Sequence, residues 1–194
     1  MSRYDADDVY CIPGTAVLKN KAGITDQDLL DQYEGDFTAI RLLEFTQNPV
    51  EGSFDLVHLC KIHQHLFQDV YEWAGEVRSV DIIRGDSRFC HARQIQSYSN
   101  TVFGALAAEK YLVNLESKAF ANRLAHYLSE INAIHPFREG NGRTQRLFTS
   151  QLAEHAGYSL DYSALDQAQL YPVMQASFLG NEQPLVDLIF KIIA

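Results

Sequence analysis

The segment of this sequence richest in reactive side chains runs from residue 135 to residue 146 and reads His-Pro-Phe-Arg-Glu-Gly-Asn-Gly-Arg-Thr-Gln-Arg. His135 titrates near neutrality, and it is the residue here best suited to take a proton from an attacking hydroxyl group. Because a proline disfavours helical backbone at the preceding residue, Pro136 predicts that a helix ends at His135. The imidazole then lies at a helix–loop junction, where it can reach a substrate.

The glycines and arginines of the same segment predict a phosphate site. Gly140 and Gly142 allow a ligand to approach the backbone closely. A helix expected to begin at Arg143 adds unpaired amides and the positive end of its dipole. Arg143 and Arg146 are three residues apart, so both guanidinium groups lie on one side of that helix and can bind the outer phosphates of a triphosphate. Asn141 can donate an amide hydrogen to a phosphate oxygen.

Glu139 is an acidic residue inside this predicted anion site. A carboxylate is favourable there if a cation lies between it and the phosphates, and Mg²⁺ is usually held by one or two carboxylates with phosphate oxygens and water. We therefore predict Mg²⁺ as the cofactor, bound at Glu139. A chance occurrence of a polar, glycine-rich connection is the alternative, but seven specified positions give odds on the order of 10⁻⁹ per starting position.

Helical periodicity dominates the rest of the chain and predicts a mainly α fold. Predicted helices follow Thr25, which can cap the first of them, and Ser53; others begin near Ser117, at Arg143 and in two C-terminal segments, the last at Pro184. The helix that begins at Arg143 is expected to end near Gly157. His63 lies on the apolar stripe of the second helix, which favours a hydrogen-bonded core histidine.

Residues 77–90 depart from the helical pattern. β-branched residues flank Gly85-Asp86, a turn sequence in which Gly85 supplies a positive φ, so we predict a short β-hairpin, with a surface loop as the alternative. An exposed hairpin edge can hold another chain in extended form by strand addition.

Charge, cysteine and histidine content disfavour several classes of function. A formal net charge of −9, from 16 Lys and Arg against 25 Asp and Glu, argues against a nonspecific nucleic-acid surface. The three cysteines have no metal-finger spacing and predict a reducing cytosol. His58, His63 and His65 are not spaced to place three metal ligands on one helix face, which disfavours a metal hydrolase. Without a signal core or a bilayer-length apolar run, we predict one cytoplasmic domain over residues 1–194, with no membrane association.

The segment from His135 to Arg146 resembles the signature of the Fic family, His-x-Phe-x-(Asp/Glu)-Gly-Asn-Gly-Arg-x-x-Arg, at every specified position. Residues 71–78, Tyr-Glu-Trp-Ala-Gly-Glu-Val-Arg, also resemble the Fic segment that leads into a target-binding flap. The resemblance covers most of the chain. It implies one Fic domain, a helical bundle with a short β-hairpin flap.

The resemblance also implies a role for each matching residue. His135 is the general base, Phe137 a core anchor and Glu139 the Mg²⁺ ligand. The residues expected at the ATP phosphates are Arg138, Gly140, Asn141, Gly142, Arg143 at the β-phosphate and Arg146 at the γ-phosphate. The residues expected to align a target segment are Ile82, Ile83, Gly85 and Phe89, and Asn181 is expected near the adenine.

The activity implied by the resemblance is transfer of AMP from ATP to a tyrosine, serine or threonine hydroxyl of a target protein, with diphosphate leaving. Related Doc toxins carry lysine in place of the second motif glycine, so Gly142 argues against their kinase-like chemistry. Transfer of UMP, GMP or phosphocholine and a catalytically silent protein-binding module remain alternatives.

The chain further resembles the compact bacterial Fic toxins of toxin–antitoxin pairs. That subgroup implies DNA gyrase and topoisomerase IV subunits as targets, and a separate antitoxin whose inhibitory helix presents a glutamate to Arg146. Self-restrained Fic proteins carry the pattern (Ser/Thr)-x-x-x-Glu-(Gly/Asn). None of the three Glu-Gly dipeptides, at Glu34, Glu51 and Glu139, has the required hydroxyl residue, so we expect inhibition in trans.

Overall fold

The computed structural model describes residues 9–84, 87–165 and 167–194. Within them the chain forms seven α-helices: α1 (Gln27–Gln47), α2 (Leu56–Phe67), α3 (Ile95–Ala108), α4 (Ser117–Ile134), α5 (Asn141–His155), α6 (Gln167–Phe178) and α7 (Gln183–Ile192). Strands β1 (Ile83–Arg84) and β2 (Ser87–Arg88) form an antiparallel pair. The predicted mainly α fold with a short hairpin is confirmed.

Helix α4 lies at the centre of the bundle and contacts α3, α5, α6 and α7. Its apolar residues Phe120, Leu124, Leu128 and Ile131 recur every three or four positions and are all buried. Because α5 also packs against α2, the loop that joins α4 to α5 is held between packed helices. The core therefore fixes both ends of the segment that carries the reactive residues.

Aspartates begin the first two helices. The Asp26 carboxylate accepts a hydrogen bond from the backbone N–H of Leu29 (2.9 Å), and Asp55 does the same for His58 (2.7 Å). The prediction of Thr25 as the cap of α1 is wrong by one residue. A carboxylate at this position also interacts favourably with the positive end of the helix dipole, which explains why Asp26 rather than Thr25 caps α1.

Helix α3 is not among the helices predicted from the sequence. Ser97, Ser99, Thr101 and Gly104 lower its intrinsic helix propensity and obscure the pattern. It nevertheless buries one stripe at helical spacing, consisting of Ile95, Ser99, Val102, Phe103 and Leu106. That spacing is the signal by which the sequence reveals this helix.

The hairpin is shorter than the predicted flap of residues 77–90. Ile83 pairs with Arg88, and Arg84 pairs with Ser87. Gly85, expected to supply the turn, lies outside the described residues. Among the helices that the structure describes, none combines the length and apolar character needed to cross a bilayer.

Candidate active site

The loop between α4 and α5 begins with a left-handed residue. His135 ends α4 with φ 46° and ψ 61°, while its backbone N–H still donates to the carbonyl of Ile131 (3.1 Å). This conformation costs a residue with a side chain about 1–2 kcal/mol, so surrounding contacts must hold it. The helix end predicted from Pro136 is present.

Arg78 supplies such contacts from beneath the loop. Its buried guanidinium donates through Nε to the His135 carbonyl (2.8 Å) and through its Nη atoms to the carbonyls of Val80 and Cys90 (2.5 Å each). The Arg78 backbone N–H donates to the Pro136 carbonyl (2.8 Å). Arg78 thus ties the base of the flap to the loop, a role that its place in the sequence does not predict.

The His135 ring lies against an aromatic wall. It stacks on Phe89 with ring centroids 3.8 Å apart and planes 14° apart, and Phe89 meets Phe178 of α6 edge-on at 5.5 Å. His135 and Phe89 both line a cleft of about 980 Å³. Phe89, expected to align the target segment, therefore also packs against one face of the His135 ring, the candidate general base.

Gly140 is required at its position by its surroundings. It has φ 79°, and a Cβ atom there would lie 2.3 Å from the ring of Phe67. Only glycine fits both the backbone and the space. Gly140 caps α5, which begins at Asn141 rather than at the predicted Arg143, so the unpaired amides of this helix start two residues earlier.

The Asn141 side chain mainly braces the loop. Its Oδ1 accepts from the Phe137 N–H (3.0 Å), and its Nδ2 donates to the Phe137 carbonyl (2.7 Å). One of its two amide hydrogens is thus used inside the protein. Only the other can serve the predicted role of donating to a phosphate oxygen. Gly142 leaves room beside Arg146, whose Nη1 would lie 3.5 Å from an added Cβ.

The two motif arginines have different surroundings. Arg143 Nη2 donates to Glu34 Oε1 of α1 (2.5 Å), and its guanidinium lies 4.8 Å from the centre of the Phe67 ring. Arg146 has no carboxylate within 4 Å in the described part of the chain, and burial lowers the pKa of its guanidinium.

Arg138 is buried in the cleft wall with Nη2 3.8 Å from Cys11 Sγ.

Glu34 and Tyr71 complete the site and are residues that the sequence does not single out for chemistry. The second carboxylate oxygen of Glu34 accepts the hydroxyl hydrogen of Tyr71. Burial, followed by the Glu34 charge, raises the pKa of the Tyr71 hydroxyl far above its usual value, so this residue stays a donor. Both residues line the cleft.

Glu139 lies at the phosphate end of the cleft. Its Oε1 accepts from the Gly140 N–H (2.9 Å) and is 3.8 Å from Arg143 Nη2. Among the described residues no group of three or more His, Cys, Asp or Glu side chains is close enough to hold a metal ion by itself. A single carboxylate beside the phosphate site still fits Mg²⁺, which takes its other ligands from phosphate and water.

His63 is a core histidine. Its Nδ1 accepts from the Gly75 N–H (2.8 Å), so Nε2 carries the proton and donates to the Glu139 carbonyl (3.1 Å). Its ring stacks on buried Phe137 at 4.0 Å, and burial lowers the pKa of His63 to about 3. His63 is therefore neutral and supports the loop from below.

The other predicted site residues differ in their exposure and in whether they line the cleft. Ile82 is 3% exposed and points into the protein, whereas Ile83 is 41% exposed on β1. Asn181 is exposed and is not among the cleft-lining residues. The structure does not bring it to the site. Apolar side chains of α6 line the cleft instead, namely Leu170, Met174 and Phe178.

A family model described as Fic/DOC family matches residues 53–153, about half of the chain and all of the loop. This chain belongs to the Fic/DOC family. It is 44% identical over 195 residues to a probable protein adenylyltransferase, y4lH, of Sinorhizobium fredii, with 100% of both chains covered. The protein adenylyltransferase VbhT of Bartonella schoenbuchensis is 43% identical over 190 residues, which are 97% of this chain but only 40% of VbhT.

A solved structure of the BepC protein of Bartonella tribocorum with bound AMPPNP resembles this Fic chain throughout. The TM-score is 0.88 at 29% identity, covering 95% of this chain and 96% of that one. The family prediction is confirmed, and the names of the relatives confirm the predicted enzyme class, a nucleotidyltransferase.

Proposed function

We propose that this Fic chain transfers AMP from ATP to a hydroxyl group of a target protein. The observation that carries the proposal is the single loop that joins His135, the amide-rich start of α5 and two arginines in one cleft. A general base and a phosphate site on one rigid loop are what attack on a phosphorus atom requires. The nucleotide in the BepC structure supports ATP as the substrate.

The reaction follows from the placement of these groups. The amides of Gly140 and Gly142 and one hydrogen of Asn141 bind the α-phosphate, while Arg143 and Arg146 bind the outer phosphates. His135 takes the hydroxyl proton, the target oxygen forms a bond to the α-phosphorus, and the bond from that phosphorus to the diphosphate oxygen breaks. Mg²⁺ bound at Glu139 would neutralise charge on the phosphates.

The nucleobase is proposed to lie along α6 rather than at Asn181. Leu170, Met174 and Leu128 of α4 give this part of the cleft an apolar lining suited to a planar base. Gln175 and Asn132 supply polar groups beside it. The target segment is proposed to add to the hairpin at Ile83, which is exposed.

We extend the proposal to a cytoplasmic toxin restrained by a separate antitoxin. Arg146 has no ion pair within the described residues, so a glutamate brought by another chain has a partner there. Expression of the chain alone is then expected to arrest growth, and co-expression with a small helical protein that bears the inhibitory pattern should relieve it. Gyrase and topoisomerase IV subunits are the proposed targets. A single Fic domain over residues 1–194 remains a prediction.

A nucleotide panel tests the proposed activity. The purified chain is incubated with Mg²⁺, a cell lysate and ATP, UTP, GTP or CDP-choline. The masses of the intact lysate proteins are then measured by mass spectrometry. The proposal expects a mass increase equal to AMP, with ATP as the required donor. A mass increase from another donor alone, or none with any donor, would contradict it.

A further inference from the structure

Helix α1 places one buried carboxylate in the cleft. Glu34 is 109 residues from Arg143 in the sequence, yet its Oε1 accepts from Arg143 Nη2 (2.5 Å). Its other oxygen accepts from Tyr71, whose ring stacks on Trp73 at 4.2 Å. Both oxygens are therefore engaged by groups that are themselves held by packing.

Arg143 is restrained on more than one side. The central carbon of its guanidinium lies over the Phe67 ring, 4.8 Å from the ring centre, and Glu139 Oε1 is 3.8 Å from Nη2. An arginine has five N–H donors in a fixed fork, and the bond to Glu34 uses one of them. The remaining donors are left for a ligand in the cleft.

A restrained arginine binds phosphate more tightly than a mobile one. A long side chain that is free in solution must be ordered when the ligand arrives, and this ordering opposes binding. Glu34 orders Arg143 during folding. The carboxylate is itself fixed by Tyr71, so it acts as a rigid support.

We infer that Glu34 is a positioning residue that holds Arg143 in the geometry needed at the β-phosphate of ATP. This inference rests on the proposed function. The opposite role for the same contact is inhibition, in which Glu34 competes with phosphate for Arg143. The two roles predict opposite signs, because removal of Glu34 weakens binding of a β-phosphate in the first and strengthens it in the second.

Binding of two nucleotides separates these roles without a known target protein. Calorimetry measures the affinity of Mg²⁺-AMPPNP, which has β- and γ-phosphates, and of AMP, which has neither. For Glu34→Ala we expect AMPPNP affinity to fall about tenfold, the equivalent of losing one charge-assisted hydrogen bond, with AMP affinity within about twofold of the unaltered chain. Glu34→Gln keeps an acceptor for Arg143 and should lose less than about threefold.

Asp36→Ala is the matched control. Asp36 is an exposed carboxylate on the same helix, does not line the cleft, and its removal changes the net charge by the same amount. AMPPNP affinity should be unchanged in this variant. Tyr71→Phe releases one carboxylate oxygen of Glu34, retains the ring, and should weaken AMPPNP about threefold without affecting AMP.

Three results would overturn the inference. Tighter AMPPNP binding by Glu34→Ala or Glu34→Gln would identify Glu34 as an inhibitory carboxylate. Equal losses for AMP and AMPPNP would assign it a role in folding alone. If thermal unfolding shows that Glu34→Ala does not fold, unchanged AMPPNP affinity in Tyr71→Phe would overturn the inference instead. Failure of the unaltered chain to bind AMPPNP would refute the proposed function itself, which distinguishes the two claims.

Discussion

Substitution of Arg78 by lysine tests how the loop is held in place. The guanidinium of Arg78 reaches the carbonyls of His135, Val80, Cys90 and Ile134 from nitrogens that point in different directions. A lysine ammonium presents its three donors at one point and cannot reproduce this fork. The His135 carbonyl, bonded to Nε, is the acceptor that loses its donor.

The size of the effect follows from these bonds. A buried acceptor left without a donor costs about 1–3 kcal/mol, so loss of the donor to the His135 carbonyl should lower the free energy of unfolding by about that amount. This is less than the 5–15 kcal/mol stability typical of a domain, so the variant should fold. Transfer should fall about 10- to 100-fold, because a shift of the imidazole by about 1 Å is enough to cost this much.

Urea unfolding and single-turnover transfer on the same preparation measure both effects. Arg123→Lys is the control, since Arg123 forms a partly exposed pair with Glu109 (2.5 Å) away from the loop. It should cost less than about 1 kcal/mol and leave transfer unchanged. If Arg78→Lys matches the unaltered chain in stability and transfer, the assigned role of Arg78 is wrong.

Two further predictions concern pH and the flap. Because the folded-state pKa of His63 is about 3 against an ordinary value of 6.5, the unfolded chain binds the extra proton, and stability falls as pH drops below 6.5. Urea unfolding should show that the unaltered chain loses about 2 kcal/mol more than His63→Gln between pH 6.5 and 4.5, and equal losses would refute this. Ile83→Glu should reduce modification of a protein target more than AMPPNP affinity, measured by labelling and calorimetry, whereas equal reductions would indicate a folding defect. Ile82 is too buried for the same test.

The sequence predicts the local features of the site well. Pro136 predicts the end of α4 at His135, which the structure shows. The glycines predict a backbone open to a ligand, and at Gly140 the structure adds a second need for glycine, the ring of Phe67. Such features depend on neighbouring residues and on backbone conformation. A short motif is therefore enough to predict them.

Contacts between segments that are distant in the sequence cannot be predicted in this way. Glu34 and Arg143 are 109 residues apart, and Arg78 and His135 are 57 apart. Nothing in the periodicity of α1 marks Glu34 as different from its other acidic residues, because it is the packing of α1 on α2, and of α2 on α5, that brings it to Arg143. The expected position of Asn181 near the adenine rests on no sequence motif. The α6 side chains that line the cleft likewise have no distinctive spacing in the sequence.

Transfer from ATP labelled at either the α- or the γ-phosphate tests the central claim most directly. The purified chain and a His135→Ala variant are each incubated with Mg²⁺, labelled ATP and a cell lysate, and AMPPNP affinity is measured on both preparations. Relative to the lysate without the chain, we expect added protein labelling from α-labelled ATP only, and a fall of about 10²- to 10⁴-fold in the variant with nearly unchanged AMPPNP affinity. Labelling from γ-labelled ATP above that of the lysate alone, or transfer by His135→Ala at the rate of the unaltered chain, would contradict the account.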